Sequence, residues 1–122
     1  MTIIEARDKI LAMMKLDDTW FHDGNDGKIA PPNKFTIDTA WKLVYKLITW
    51  YNISPGRIEP TVEEGVFMNF KNGDAEMYLE IYNDGDICYI TYNVKTKETI
   101  DNQEIAEDGM MGAILMLYCV GE

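Results

Sequence analysis

Serine and histidine occur once each in this 122-residue chain, as Ser54 and His22, and cysteine only twice, as Cys88 and Cys119. Nucleophilic catalysis needs an activated hydroxyl or thiol beside a base, and no nucleophile motif surrounds any of these residues. Ser54 precedes Pro55 and reads as a turn residue. The two thiols match no metal-ligand spacing and read as buried and inert. No apolar run approaches the roughly 18 residues of a membrane span. No glycine-rich phosphate loop can be placed between a strand and a helix, which leaves nucleotide chemistry without support. The opening residues carry no secretory pattern, so a cytoplasmic protein with reduced thiols is expected.

Basic residues are scarce in one half only. Residues 1–57 hold eight Lys/Arg against seven Asp/Glu, whereas 58–122 hold three against fourteen, so +1 and −11 make the net −10. Such a field repels phosphate backbones and anionic lipid heads, so neither direct nucleic-acid nor membrane-surface binding is expected. A basic protein is the natural complement. The alternative is that the acidity serves solubility alone.

Against these scarcities stand 47% hydrophobic and 11% aromatic residues, enough for one continuous core. No linker divides the chain, and a single domain over 1–122 is expected. Thr2-Ile3-Ile4-Glu5 has the form of a capping box, and Ile3, Ala6, Ile10 and Met14 follow at helical spacing, which predicts a helix over about 2–15. A second helix has Thr36 as its cap and Ile37, Ala40, Trp41, Val44, Leu47, Ile48 and Tyr51 as its apolar stripe; it ends over Asn52 to Gly56. From Gly65 the period becomes two. Gly65 to Lys71, Asp74 to Tyr82 and Asp86 to Asn93 read as strands joined at Asn72-Gly73 and Asp84-Gly85, strong hairpin signals. A short further strand near Glu98 to Ile100 and a closing helix over about 103–119 complete the reading. The fold class is α+β, with an antiparallel meander of three to four strands packed against two to three helices.

Two-residue turns would place Met68 opposite Met77, and Leu79 opposite both Val66 and Ile90. Val66, Met68, Phe70, Ala75, Met77, Leu79, Ile81, Cys88, Ile90 and Tyr92 then share the core face. The opposite face carries Phe67, Asn69, Glu76, Tyr78, Glu80, Tyr82, Ile87, Tyr89 and Thr91. Tyrosines mixed with carboxylates are unusual on a face left in water and are enriched at interfaces. The first helix could instead cover this side, giving three layers.

Other constellations carry less. Asp23-Gly24-Asn25-Asp26-Gly27 looks like a calcium loop, but counting from Asp23 the fifth, sixth and twelfth positions hold Gly27, Lys28 and Lys34, so no metal is expected. Glu63-Glu64, and Glu76 with Glu80, have the composition of a glycosidase pair; adjacent charges on a turn or an open strand are more often merely solvated.

Several of these pieces occur in one order: Trp20 with Gly24, Ala30-Pro31, Thr36-Ile37 through Ala40, Pro60-Thr61 with Gly65-Val66, Leu79-Glu80-Ile81 and Asp84-Gly85. Over about 20–92 the chain resembles a group of short bacterial proteins whose function is undefined. The resemblance implies the same meander, supplies no activity, and associates the chain with mobile-element or defence-related genes. The group commonly has a second glycine before Gly65, where this chain has Glu64.

The expectation is a non-catalytic, cofactor-free, acidic protein-binding module. It would be an inhibitor or antitoxin-like protein of phage or mobile-element type that binds a basic site on a nucleic-acid-handling partner through Phe67, Glu76, Tyr78, Glu80, Tyr82 and Tyr89. Glu76 and Glu80 would project the same way along one strand, like backbone phosphates. The rival is a self-associating structural or accessory protein, a homo-oligomer formed through its sheet.

Overall fold

The computed structural model describes residues 1–17, 20 and 29–97, and the backbone of 99–105. Helix α1 spans Ile3–Met13 and helix α2 Lys34–Tyr51. They precede strands β1 (Pro55–Thr61), β2 (Gly65–Asn72), β3 (Ala75–Tyr82), β4 (Ile87–Asn93) and β5 (Thr99–Ile105), which form one antiparallel sheet in chain order. This is the α+β meander read from the pattern, with β1 added ahead of it.

Both helix starts follow from side-chain capping. Thr2 accepts from Glu5 N–H at 3.1 Å while the Glu5 carboxylate receives Thr2 N–H at 3.4 Å, the reciprocal pair of a capping box. The α2 cap is Asn33, whose side-chain oxygen accepts from Thr36 N–H at 2.9 Å. Thr36, the cap expected from sequence, is the third helical residue and fully buried; its hydroxyl donates to Asn83 Oδ1 at 2.9 Å. Asn83 also accepts from Asn33 N–H and donates to the Pro31 carbonyl, both at 2.9 Å, and so ties the β3–β4 loop to the start of α2. At its other end α2 stops on Asn52 in the left-handed region, φ 54°, and Ile53 N–H returns to the Leu47 carbonyl at 2.9 Å.

Strand β1 escaped the sequence reading because two of its seven residues are proline. Proline is tolerated on an edge strand, where one row of N–H groups has no ladder partner, and β1 is an edge of the sheet formed by the described strands. Its Ile58 is 4% exposed and joins the core. Strand β5 runs longer than the expected Glu98 to Ile100 and takes in 103–105, the first positions of the expected closing helix. The rest of that helix lies outside the described residues, as do the Asp23 to Gly27 run, His22 and Cys119.

The hairpin turns decide the faces. Asn72 pairs with Ala75 across Gly73-Asp74, one position later than the expected Asn72-Gly73 turn, and Gly73 takes φ 62°. The register sum therefore moves by two: Met68 faces Leu79 and Val66 faces Ile81, and every side chain of β3 keeps its expected side. The second turn differs. Tyr82 N–H bonds the Asp86 carbonyl at 2.8 Å, and Gly85, at φ 99°, donates back to the Tyr82 carbonyl at 3.0 Å. This is a three-residue loop closed by a glycine with positive φ, the bulged hairpin form. It shifts the register by one, so Leu79 faces Tyr89 and Ile81 faces Ile87. A one-residue shift moves a whole strand to the other face. The expected sides of β4 are therefore corrected: Ile87, Tyr89 and Thr91 are buried at 0, 5 and 0% exposure, while Ile90 is 39% exposed.

The core lies between the sheet and both helices. Ala6, Ile10 and Met13 of α1 and Ala40, Leu43, Val44 and Leu47 of α2 form one cluster with Val66, Met68, Phe70, Met77, Leu79, Ile81, Ile87 and Tyr89. Trp41 and Ile48 pack at its margin. Helix α1 contacts α2 and β1 and so lies on the core side of the sheet. The described elements form two layers, and α1 does not make a third. No described helix is long and apolar enough to cross a membrane.

Candidate functional site

The face of the sheet turned from the helices carries Arg57 and Glu59 on β1, Phe67 and Asn69 on β2, Glu76, Tyr78, Glu80 and Tyr82 on β3, and Cys88, Ile90 and Tyr92 on β4. Five of the six residues expected at the site are among them: Phe67, Glu76, Tyr78, Glu80 and Tyr82. Tyr89 is not; the three-residue loop puts it in the core. Tyr92, expected in the core, takes its place.

Diagonal neighbours on adjacent strands come within reach of aromatic side chains, and here they build a row across four strands. The Arg57 guanidinium carbon lies 5.5 Å from the Phe67 ring centroid. Phe67 stacks on Tyr78 at 5.8 Å and 25°, and Tyr78 on Tyr92 at 5.4 Å and 23°. Glu59 holds Arg57 from the same strand through two bonds, Nε to Oε1 at 3.1 Å and the second nitrogen to Oε2 at 2.8 Å. That hydrogen bonding, and then the Glu59 charge, raises the Arg57 pKa above its ordinary value.

Beside the row runs a buried polar line. Glu76 is only 6% exposed; Asn69 Nδ2 donates to its Oε1 at 3.0 Å and the Tyr92 hydroxyl donates to its Oε2 at 3.2 Å. With its own proton on Glu76, the Tyr92 oxygen is left to accept from Tyr78, 2.8 Å away. The bond with Tyr78, then burial, then the bond to Glu76 raise the Tyr92 pKa well above its ordinary value. Glu76 is thus not the projecting charge expected of it. A buried carboxylate is stable only when hydrogen-bonded, and here it positions the far end of the aromatic row. Gly56 leaves room for Asn69: a Cβ there would stand 2.9 Å from Asn69 Oδ1.

Glu80 is the central half-exposed carboxylate. Its Oε2 accepts from the Tyr82 hydroxyl at 2.6 Å. Burial first, then the Glu80 bond and the charges of Glu80 and Glu63, raise the Tyr82 pKa strongly. Asn83 N–H bonds the Glu64 carbonyl at 2.9 Å, joining the β1–β2 and β3–β4 turns. This brings Glu63, Glu64, Asp84 and Tyr82 around one small cleft at the end of the sheet. Among the described residues, no group of three or more acidic, His or Cys side chains could hold a metal ion.

Sequence reasoning missed Arg57 because β1 was not seen, and Cys88, Ile90 and Tyr92 because Ile87 to Tyr92 has apolar residues at both parities. Only the loop length settles which set faces out. No family model, curated protein or solved structure matches the chain, so the chemistry of this face is read from its own residues.

Proposed function

We propose that this protein is a small acidic protein-binding module that engages a basic site on a nucleic-acid-handling partner through the outer face of its sheet, in the manner of an inhibitor or antitoxin-like protein of a phage or mobile element. The observation that carries the reading is the aromatic row Phe67, Tyr78 and Tyr92 on a face that neither described helix covers, with Glu59 and Glu80 flanking Phe67 and with Glu63, Glu64 and Asp84 around the cleft at the end of the sheet. Stacked and hydrogen-bonded tyrosines are pre-organised, so little side-chain entropy is lost on binding. Carboxylates around an aromatic centre accelerate encounter with a basic partner and set its orientation. The carboxylates placed to meet a partner's cation directly are Glu80 and those of the turns, since Glu76 is only 6% exposed.

Self-association through the β1 edge is disfavoured. Pro55 and Pro60 and the charged Arg57–Glu59 pair are features that block edge pairing. A sedimentation coefficient that stays monomeric as concentration rises would leave the hetero-partner reading alone.

The direct test is affinity capture from the native host by immobilised protein, followed by kinetics on the recovered partner. The reading requires basic nucleic-acid-handling proteins that are released by salt and whose association slows when Glu80 is changed to Gln. Recovery of acidic or neutral proteins only, held equally in high salt, overturns it.

A further inference from the structure

Phe67 lies between two carboxylates. Its partner across the β1–β2 ladder is Glu59 and its partner across the β2–β3 ladder is Glu80. The first of these carboxylates already holds a guanidinium: Arg57 makes two bonds to Glu59 and lies over the Phe67 ring. The second has aromatic rings two residues before and after it on the same side of β3, Tyr78 and Tyr82, and Cys88 directly opposite on β4. Among the described residues no cation is within ion-pair distance of Glu80, and only its Oε2 receives a hydrogen bond. A cleft of about 160 Å³ opens beside it, lined by Tyr78, Glu80, Tyr82, Cys88, Tyr89 and Ile90.

We infer that this cleft receives an arginine side chain of the basic partner, with the guanidinium flat against the Tyr82 ring and its N–H groups on Glu80. This rests on the protein-binding reading above and names the group that reading requires. The chemistry repeats what the sheet does for its own Arg57: a planar, weakly hydrated cation suits an aromatic face and a carboxylate at once. Ile90, 39% exposed on the cleft wall, gives apolar contact for the aliphatic stem. An ammonium group is a compact, strongly hydrated charge and uses the ring faces less well. The Tyr82 hydroxyl, by donating to Oε2, holds the Glu80 carboxylate in place and leaves Oε1 for the incoming donor.

The test is a titration of the full chain with N-acetyl-arginine amide and, separately, N-acetyl-lysine amide, following the NMR signals of Tyr78, Tyr82 and the Ile90 methyls. The arginine probe is expected to give saturable shifts at these three residues, with the lysine probe binding several-fold more weakly. Glu80→Gln should weaken the arginine probe roughly tenfold, as loss of a charge-assisted pair does, whereas Asp38→Asn, on α2 at the other side of the sheet, should leave it unchanged. Ile90→Trp, which fills the cleft, should abolish the shifts and serves if Glu80→Gln does not fold. Equal response to both probes, spread over all surface carboxylates and insensitive to Glu80→Gln and Ile90→Trp, would overturn the arginine site. A basic partner recovered by capture could still stand in that case. Saturable arginine binding at the cleft with no basic protein captured would uphold the site and remove the partner reading instead.

Discussion

One sheet presents two unlike faces. On the helix side Val66, Met68, Phe70, Met77, Leu79, Ile81 and Ile87 are at most 1% exposed and cluster with apolar side chains of α1 and α2. On the other side the same strands carry tyrosines, glutamates, an asparagine and an arginine, joined by stacking and by hydrogen bonds between side chains. The first face is held by burial of area, which demands apolar side chains of the right volume but no directed bonds. The second is held by directed contacts, which fix side-chain geometry.

Changes that strike the inner face should cost most. Leu79→Ala removes a core side chain 1% exposed and should cost about 2–5 kcal/mol in denaturant melts, a large part of the stability of a domain this size. Gly65→Ala should cost about 3 kcal/mol by overpacking, because its Cβ would be driven into the Ile81 carbonyl oxygen on the neighbouring strand. A loss below about 0.5 kcal/mol for either, the range of surface substitutions, would contradict the packing described.

The outer face should respond less and through its bonds. Tyr92→Phe keeps the ring and removes the hydroxyl shared by Tyr78 and Glu76, at a cost of about 1 kcal/mol. A double-mutant cycle with Glu76→Gln should show coupling, and additivity would mean that the two side chains do not bond.

The pH dependence separates the faces further. Tyr82 and Tyr92 have pKa values raised above the ordinary tyrosine value of about 10. The native state therefore keeps protons that the unfolded chain gives up. Their stabilisation is complete below about pH 10 and is lost as pH rises from there towards the raised native values. Melting temperatures should fall above pH 10, and less steeply in the Tyr82→Phe/Tyr92→Phe protein. An unchanged alkaline slope would deny these bonds.

The smallest effect concerns the β1–β2 turn, where Glu64 takes φ 65°. A left-handed conformation costs a non-glycine residue about 1–2 kcal/mol, partly offset for glycine by its greater unfolded-state freedom. Glu64→Gly should therefore raise stability by roughly half a kcal/mol, read as a small upward shift in melting temperature.

How far the residues alone could go is clearest along β3 and β4. Strand β3 alternates cleanly from Ala75 to Tyr82, so its faces were legible, and a two-residue slip at Gly73-Asp74 left them intact. Strand β4 has Ile87, Tyr89 and Thr91 at one parity and Cys88, Ile90 and Tyr92 at the other, so its pattern has no preferred face. Asp84-Gly85 announces a turn but not its length, and one additional loop residue reversed the strand. The prolines of β1 concealed a strand because proline marks an interruption everywhere except at an edge. Glu64 stands in the left-handed region at φ 65°, a conformation that favours glycine, so its residue type did not announce the turn. The buried state of Glu76 was not legible, since it depends on Asn69 and Tyr92 meeting it from two other strands.

The two-faced sheet is tested most directly at the neighbours Tyr89 and Ile90, by equilibrium denaturation of Tyr89→Ala and Ile90→Ala under identical conditions. Tyr89 is 5% exposed within the core and Ile90 is 39% exposed on the cleft wall. Tyr89→Ala should lose about 3–5 kcal/mol, as large aromatic truncations in a core do, and Ile90→Ala no more than about 1 kcal/mol. The reverse order, with Ile90 costly and Tyr89 cheap, would return β4 to the opposite register and remove Tyr92, Ile90 and the cleft from the outer face.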